Sequence, residues 1–150
     1  MRLLLDTNCW MQIVRRREHA DEVAALLRAV PAADICITDY SLHSLLNITR
    51  RHKMVDELPA FIATSGFGVT IEVVTVPPTE LRRVVDTMNR HALDVDDAYQ
   101  YAAAELHNLN LVSLDADFDR TPRGRLTPAA ALQQFTDEQR RQEPGQPPPP

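Results

Sequence analysis

The chain has 150 residues, is 44% hydrophobic and 25% charged, and carries a formal net charge of −5. This composition suits a single globular domain with its own core. It holds no apolar run near the ~20 residues of a membrane span and argues against a generic basic nucleic-acid binder, though not against an enzyme that holds nucleic acid through metal ions and local basic patches.

Leu3-Leu4-Leu5 runs straight into Asp6, and residues 2–6 read as a short strand buried on both faces. Asp6 comes too early to leave room for a secretory apolar segment, so the expected location is cytoplasmic. Thr7 or Asn8 can cap a helix that begins near Cys9. A second helix is expected over Asp21–Val30, with Val23, Leu26, Leu27 and Val30 on one stripe, and Pro31 stops it. Ile35–Thr38 reads as a second strand, followed by a helix to about Lys53 with Leu42, Leu45, Leu46 and Ile48 as its apolar positions. Residues 54–68 read as helix then loop, because Gly66 and Gly68 mark a turn. Val69–Val76 is rich in β-branched residues and reads as a third strand, ended by Pro77-Pro78.

A helix starting at Pro78 or Thr79 is expected to reach about Asn89. Asp94 or Asp96 opens another, with Ala98, Tyr101, Ala102 and Leu106 inward. Residues 111–115 read as a fourth strand, and residues 125–127 could form a fifth. Strands alternating with helices point to an α/β fold with a parallel sheet. The expected domain spans residues 1–135, and residues 136–150 form a tail whose Pro-rich end, from Pro144, carries no core-forming residues and should be disordered. Cys9 and Cys36 show no CxxC spacing and read as reduced, buried thiols.

Asp6 and Asp115 each follow an apolar strand. Asp97 lies in a helix's first turn, and Asp117 lies two residues past Asp115. In an α/β fold these places face one edge of the sheet. Carboxylates gathered there repel one another and raise their own pKa values. A hard cation such as Mg²⁺ or Mn²⁺ relieves that repulsion, and oxygen-only ligands suit those metals. Arg15-Arg16-Arg17 and Arg50-Arg51-His52-Lys53 are the two basic patches available for an RNA backbone.

Four segments together resemble the PIN domain family, particularly the VapC-like ribonuclease toxins of type II toxin–antitoxin pairs. They are Leu3-Leu4-Leu5-Asp6-Thr7-Asn8; Ser41-Leu42-His43-Ser44-Leu45-Leu46; Asp97-Ala98 with Tyr101-Ala102-Ala103-Ala104; and Val112-Ser113-Leu114-Asp115-Ala116-Asp117-Phe118. The resemblance implies a three-layer α/β/α fold around a mainly parallel sheet of four to five strands. It implies a Mg²⁺- or Mn²⁺-dependent endoribonuclease, with Asp6, Asp97 and Asp115 as catalytic metal ligands and Asp117 as a frequent fourth acid. Thr7 or Asn8 and Ser113 match residues that orient those acids, and Ser44 would join them in positioning ligands. Arg15, Arg16, Arg50 and Arg51 are the candidate RNA contacts. The resemblance also implies a homodimer and a small antitoxin that inserts a basic segment into the acidic pocket.

The chain departs from the family at Ser44, where a glutamate is usual. The alternative reading is therefore a catalytically impaired PIN-like domain that binds RNA or a protein. Asp39, on the strand-to-helix turn, could substitute in part, and His43 is expected on the helix surface or in an interface. The segment Leu111–Asp117 also looks like the nucleophile strand of haloacid-dehalogenase-type phosphatases. That motif normally opens its fold and needs a downstream lysine, and no Lys follows Asp115.

Overall fold

The computed structural model describes residues 1–142 except Val55 and Glu57. Four strands, β1 (Leu3–Leu5), β2 (Ile35–Thr38), β3 (Glu72–Val74) and β4 (Asn110–Val112), form one sheet in the order β3-β2-β1-β4. Every neighbouring pair is parallel, with Leu3 beside Ile35 and Asn110, and Cys36 beside Glu72. The expected fifth strand is reduced to one parallel bridge, Val112 to Leu126.

Seven α-helices flank the sheet among the described residues: α1 (Thr7–Arg15), α2 (Ala20–Ala29), α3 (Asp39–Arg51), α4 (Leu58–Ser65), α5 (Leu81–His91), α6 (Val95–Leu106) and α7 (Pro128–Gln142). Strand alternation sorts the core into two halves. Leu3, Leu5, Ile35 and Ile37 pack on one face with Cys9, Trp10 and Met11 of α1, Val23 and Leu26 of α2, Leu45 of α3 and Phe135 of α7. Leu4, Cys36 and Leu111 pack on the other with Val84 of α5 and with Ala98, Tyr101 and Ala102 of α6. The result is the expected three-layer arrangement. Cys9 and Cys36 are buried free thiols.

The elements differ from the expectations in instructive places. Strand β3 is shorter than residues 69–76. Gly66 and Gly68 adopt positive φ, and the Ile71 N–H turns back to the Gly66 carbonyl, so residues 66–71 spend their backbone groups within a turn. A short 3₁₀ turn, Pro78–Glu80, precedes α5. Helix α6 is buried nearly all round, from Ala98 to Ala104, whereas Leu106, expected inward, is exposed. On α3, Leu45 is buried but Leu46 is exposed. Helix α7 runs past residue 135 to Gln142, so residues 136–142 are helix rather than tail. The Pro-rich end from Pro144 lies outside the described residues. No helix among the described residues is long and apolar enough to cross a membrane.

Candidate metal centre

Strand β1 sits between β2 and β4: the chain adds β2 and β3 on one side of β1 and then crosses to add β4 on the other, so the strand order switches sides between β1 and β4. Beyond the C-terminal ends of two such parallel strands a crevice opens. Asp6 leaves β1 there, and Asp115 follows β4 by three residues. Three helices also begin at this edge. Asp6 itself caps α1, its Oδ1 accepting the Thr7 N–H at 2.6 Å, so the cap is neither Thr7 nor Asn8. Thr38 caps α3 by accepting the Ser41 N–H, and Asp94 caps α6 by accepting the Asp97 N–H at 2.9 Å. The partial positive charge at helix N-termini favours carboxylates in this place.

The expected acids meet. One carboxylate oxygen each from Asp97, Asp115 and Asp117 lies within 4.8 Å of the others. Asp6 stands deeper. It is buried, and its second oxygen accepts the Ser113 hydroxyl at 2.8 Å. Burial is the main reason its pKa is pushed up to about 6, with the Asp115 and Asp96 charges adding to it. Asp97 is pushed up to about 7, by burial first and then by Asp6, Asp94, Asp115 and Asp117. These groups therefore lie close enough to repel one another. An all-oxygen donor set that carries uncompensated repulsion fits a hard divalent cation.

Polar side chains hold the acids in place. Ser113 Oγ accepts from Asn8 Nδ2 and from the Asp115 N–H, both at 2.9 Å, while it donates to Asp6. Asn8 Oδ1 accepts the Leu114 N–H. Asp115 Oδ1 accepts the Asp117 N–H. Thr7 Oγ1 donates to Ser41 Oγ at 2.9 Å, and Gln100 Nε2 also donates to Ser41. Buried Gln100 thereby ties α6 to α1 and α3 beneath the acids, with Thr38 Oγ1 3.2 Å from its carbonyl oxygen. Sequence reading missed Gln100, whose only signal is an amide among the alanines of α6.

An open cavity of about 560 Å³ extends from Asp6, Asp97 and Asp115. Its walls are two helical stripes. Helix α1 gives Thr7, Asn8, Met11, Gln12 and Arg15, and α3 gives Tyr40, Ser44, Asn47, Ile48 and Arg51. Asp94 and Asp96 add two carboxylates at the acidic end, and Arg17 joins Arg15 and Arg51 in the lining. The expected cations Arg16 and Arg50 do not line it. Ser44 does line it, at the position where a glutamate was expected. Asp39 does not take that glutamate's place, because its Oδ1 accepts from the Tyr99 hydroxyl and the Tyr40 N–H, both at 2.8 Å. His43 is exposed on α3. Asp117 is also paired with Arg120 at 2.8 Å.

The PIN domain family model matches residues 3–124. Among solved structures, the chain is similar to a toxin–antitoxin complex from Klebsiella pneumoniae, at 22% identity over 84% of this chain and 97% of that one, with a TM-score of 0.66. It is similar to Mycobacterium tuberculosis VapC20, a sarcin-ricin loop cleaving toxin, at 17% identity over 80% and 95%, with a TM-score of 0.69. It is also similar to VapBC2 from Rickettsia felis bound to a DNA fragment from its promoter, at 18% identity over 84% and 97%, with a TM-score of 0.67. At these identities the likeness is one of fold. No curated protein matches the chain.

Proposed function

The chain belongs to the PIN domain family, and from that premise we propose that it is a Mg²⁺- or Mn²⁺-dependent endoribonuclease of the VapC-like toxin class, hydrolysing RNA phosphodiester bonds. The observation that carries this reading is the convergence of Asp97, Asp115 and Asp117 beside a cavity that Asp6, Asp97 and Asp115 line.

Asp97 and Asp115 would hold the cation, with Asp6 and Asp117 completing the acidic shell. A bound divalent ion would lower the pKa of a water and offset charge on the attacked phosphate. Ser113 and the Thr7 N–H hold the two Asp6 oxygens, which keeps that carboxylate from swinging away. Asn8 fixes Ser113 in turn. Arg15, Arg17 and Arg51 lie in the same cavity and would hold the RNA backbone away from the acids. A cytoplasmic homodimer neutralised by a small antitoxin belongs to the same reading. Its support is that similar folds occur in toxin–antitoxin complexes and that the acidic cavity suits a basic segment.

The test is cleavage of single-stranded RNA by the purified chain in Mg²⁺ or Mn²⁺, beside Asp6→Asn. The native chain should cut and the variant should not, while both fold. Equal rates would end the proposal.

Ser44 supports a second reading, a PIN-like domain that binds RNA or a protein without cutting. A hydroxyl is a weaker cation ligand than a carboxylate. If that reading holds, the native chain binds RNA but does not cleave it, and Ser44→Glu gains nuclease activity.

A further inference from the structure

The cavity's acidic end has an aromatic wall that metal chemistry does not need. Tyr40 is the only aromatic side chain among the residues that line it. It lies at the start of the α3 stripe, which continues through Ser44 and Asn47 to Arg51, about 16 Å away along the helix axis. The stripe thus begins beside the carboxylates and ends at a guanidinium.

Tyr40 is held from two sides. Its hydroxyl donates to Asp96 Oδ1 at 2.8 Å, which ties the ring to the residue next to Asp97. Its ring stacks on Tyr99, with centroids 5.0 Å apart and planes 30° from parallel. Tyr99 is itself fixed, since its hydroxyl donates to Asp39 and accepts the Val76 N–H at 2.9 Å. Tyr99 is buried while Tyr40 is only partly so. The pair is a two-ring stack whose inner ring is sealed and whose outer ring borders the cavity. A ring ordered in advance loses little freedom when a flat partner joins it. Unpaired nucleobases are such partners, and they stack on aromatic side chains with little regard to sequence.

We propose that Tyr40 forms a nucleobase subsite, stacking an unpaired base next to the phosphate held at the acidic cluster. This rests on the ribonuclease reading above and requires an unpaired base, because a base inside a duplex cannot reach the ring. Tyr40 thereby positions the strand, with its phosphates directed between the acids and Arg51.

The test is binding of a short single-stranded RNA, and of an abasic ribose-phosphate strand of the same length, in Mg²⁺. Both are measured in an Asp115→Asn background so that the strands stay intact. Tyr40→Ala should weaken binding of the RNA by roughly tenfold to a hundredfold and leave the abasic strand unaffected. Tyr40→Phe keeps the ring and should stay within about threefold of the parent on both strands. In the otherwise native chain, Tyr40→Ala should raise KM and largely spare kcat. Equal loss on both strands would mean that Tyr40 is only a wall, and no loss on either would mean that it is not a contact; each overturns the subsite. If the native chain neither binds nor cuts the single-stranded RNA, the ribonuclease reading itself fails, an outcome distinct from these two.

Discussion

Asp6 carries more of the site's character than any other residue, because its burial, with the Asp115 and Asp96 charges, outweighs the hydrogen bonds from Ser113 and Thr7 that favour its charged form. Its pKa, raised from 3.8 to about 6, means that the metal-free folded chain binds this proton more tightly than the unfolded chain does. Its contribution to stability is therefore greatest in acid and is lost as pH rises from about 4 to about 6. Asp97 extends that loss to about pH 7. Asp6→Asn removes the titration. The stability of that variant relative to the metal-free native chain should rise across this window, by up to roughly 3 kcal/mol for a carboxyl so deeply buried; urea unfolding at pH 4, 6 and 8 measures it, and a flat difference would refute it. Mn²⁺ should raise the melting temperature more at pH 8 than at pH 5.5, because protons compete with it at the lower pH. Ser113→Ala removes the hydroxyl that donates to Asp6, and Mn²⁺ affinity measured by calorimetry should fall about tenfold to a hundredfold. The three aspartates were legible in the sequence because each follows an apolar strand or opens a helix. Whether Asp39 could stand in for the missing glutamate was not legible, since nothing in its local sequence shows that Tyr99, 60 residues away, takes its carboxylate.

At the scale of elements, the strands were legible in kind but not in length. β2 covers the expected Ile35–Thr38. β3 is cut short because the glycine turn before it consumes the backbone groups of residues 66–71. The cap of α1 was misplaced because Asp6, the strand's last acid, is also the helix's first acceptor, so one residue serves both elements. Helix α3 was expected from its apolar positions, yet its stripe of Tyr40, Ser44, Asn47 and Arg51 is polar and faces a cavity that exists only after folding. Its start depends on Thr38, which caps Ser41 and is fully buried beside Gln100. Thr38→Ala should cost about 1–2 kcal/mol in stability, read by chemical denaturation. It should also weaken Mn²⁺ binding, because Thr38 and Gln100 support the Ser41 hydroxyl that holds Thr7, whose N–H holds Asp6. A stability loss with unchanged Mn²⁺ affinity would show that the buried network serves the fold alone.

Across the whole molecule, strand order explains the site. With β1 and β4 adjacent, residues more than a hundred positions apart become neighbours at one edge, and helix N-termini converge on the same place. The net charge of −5 hides a cavity divided into an acidic end and an arginine end. If RNA lies along it, binding should weaken with salt, and Arg51→Ala should flatten the log–log salt slope by about 0.7. An unchanged slope would remove Arg51 from the RNA path. The central claim is that the acids meet in order to hold a cation. Anomalous scattering from a crystal of the protein equilibrated with Mn²⁺ reads this directly. A peak bonded to carboxylate oxygens of Asp97 and Asp115, within about 2.3 Å of each, is expected. No peak at this cluster under saturating Mn²⁺, or a peak held by other residues, would contradict it.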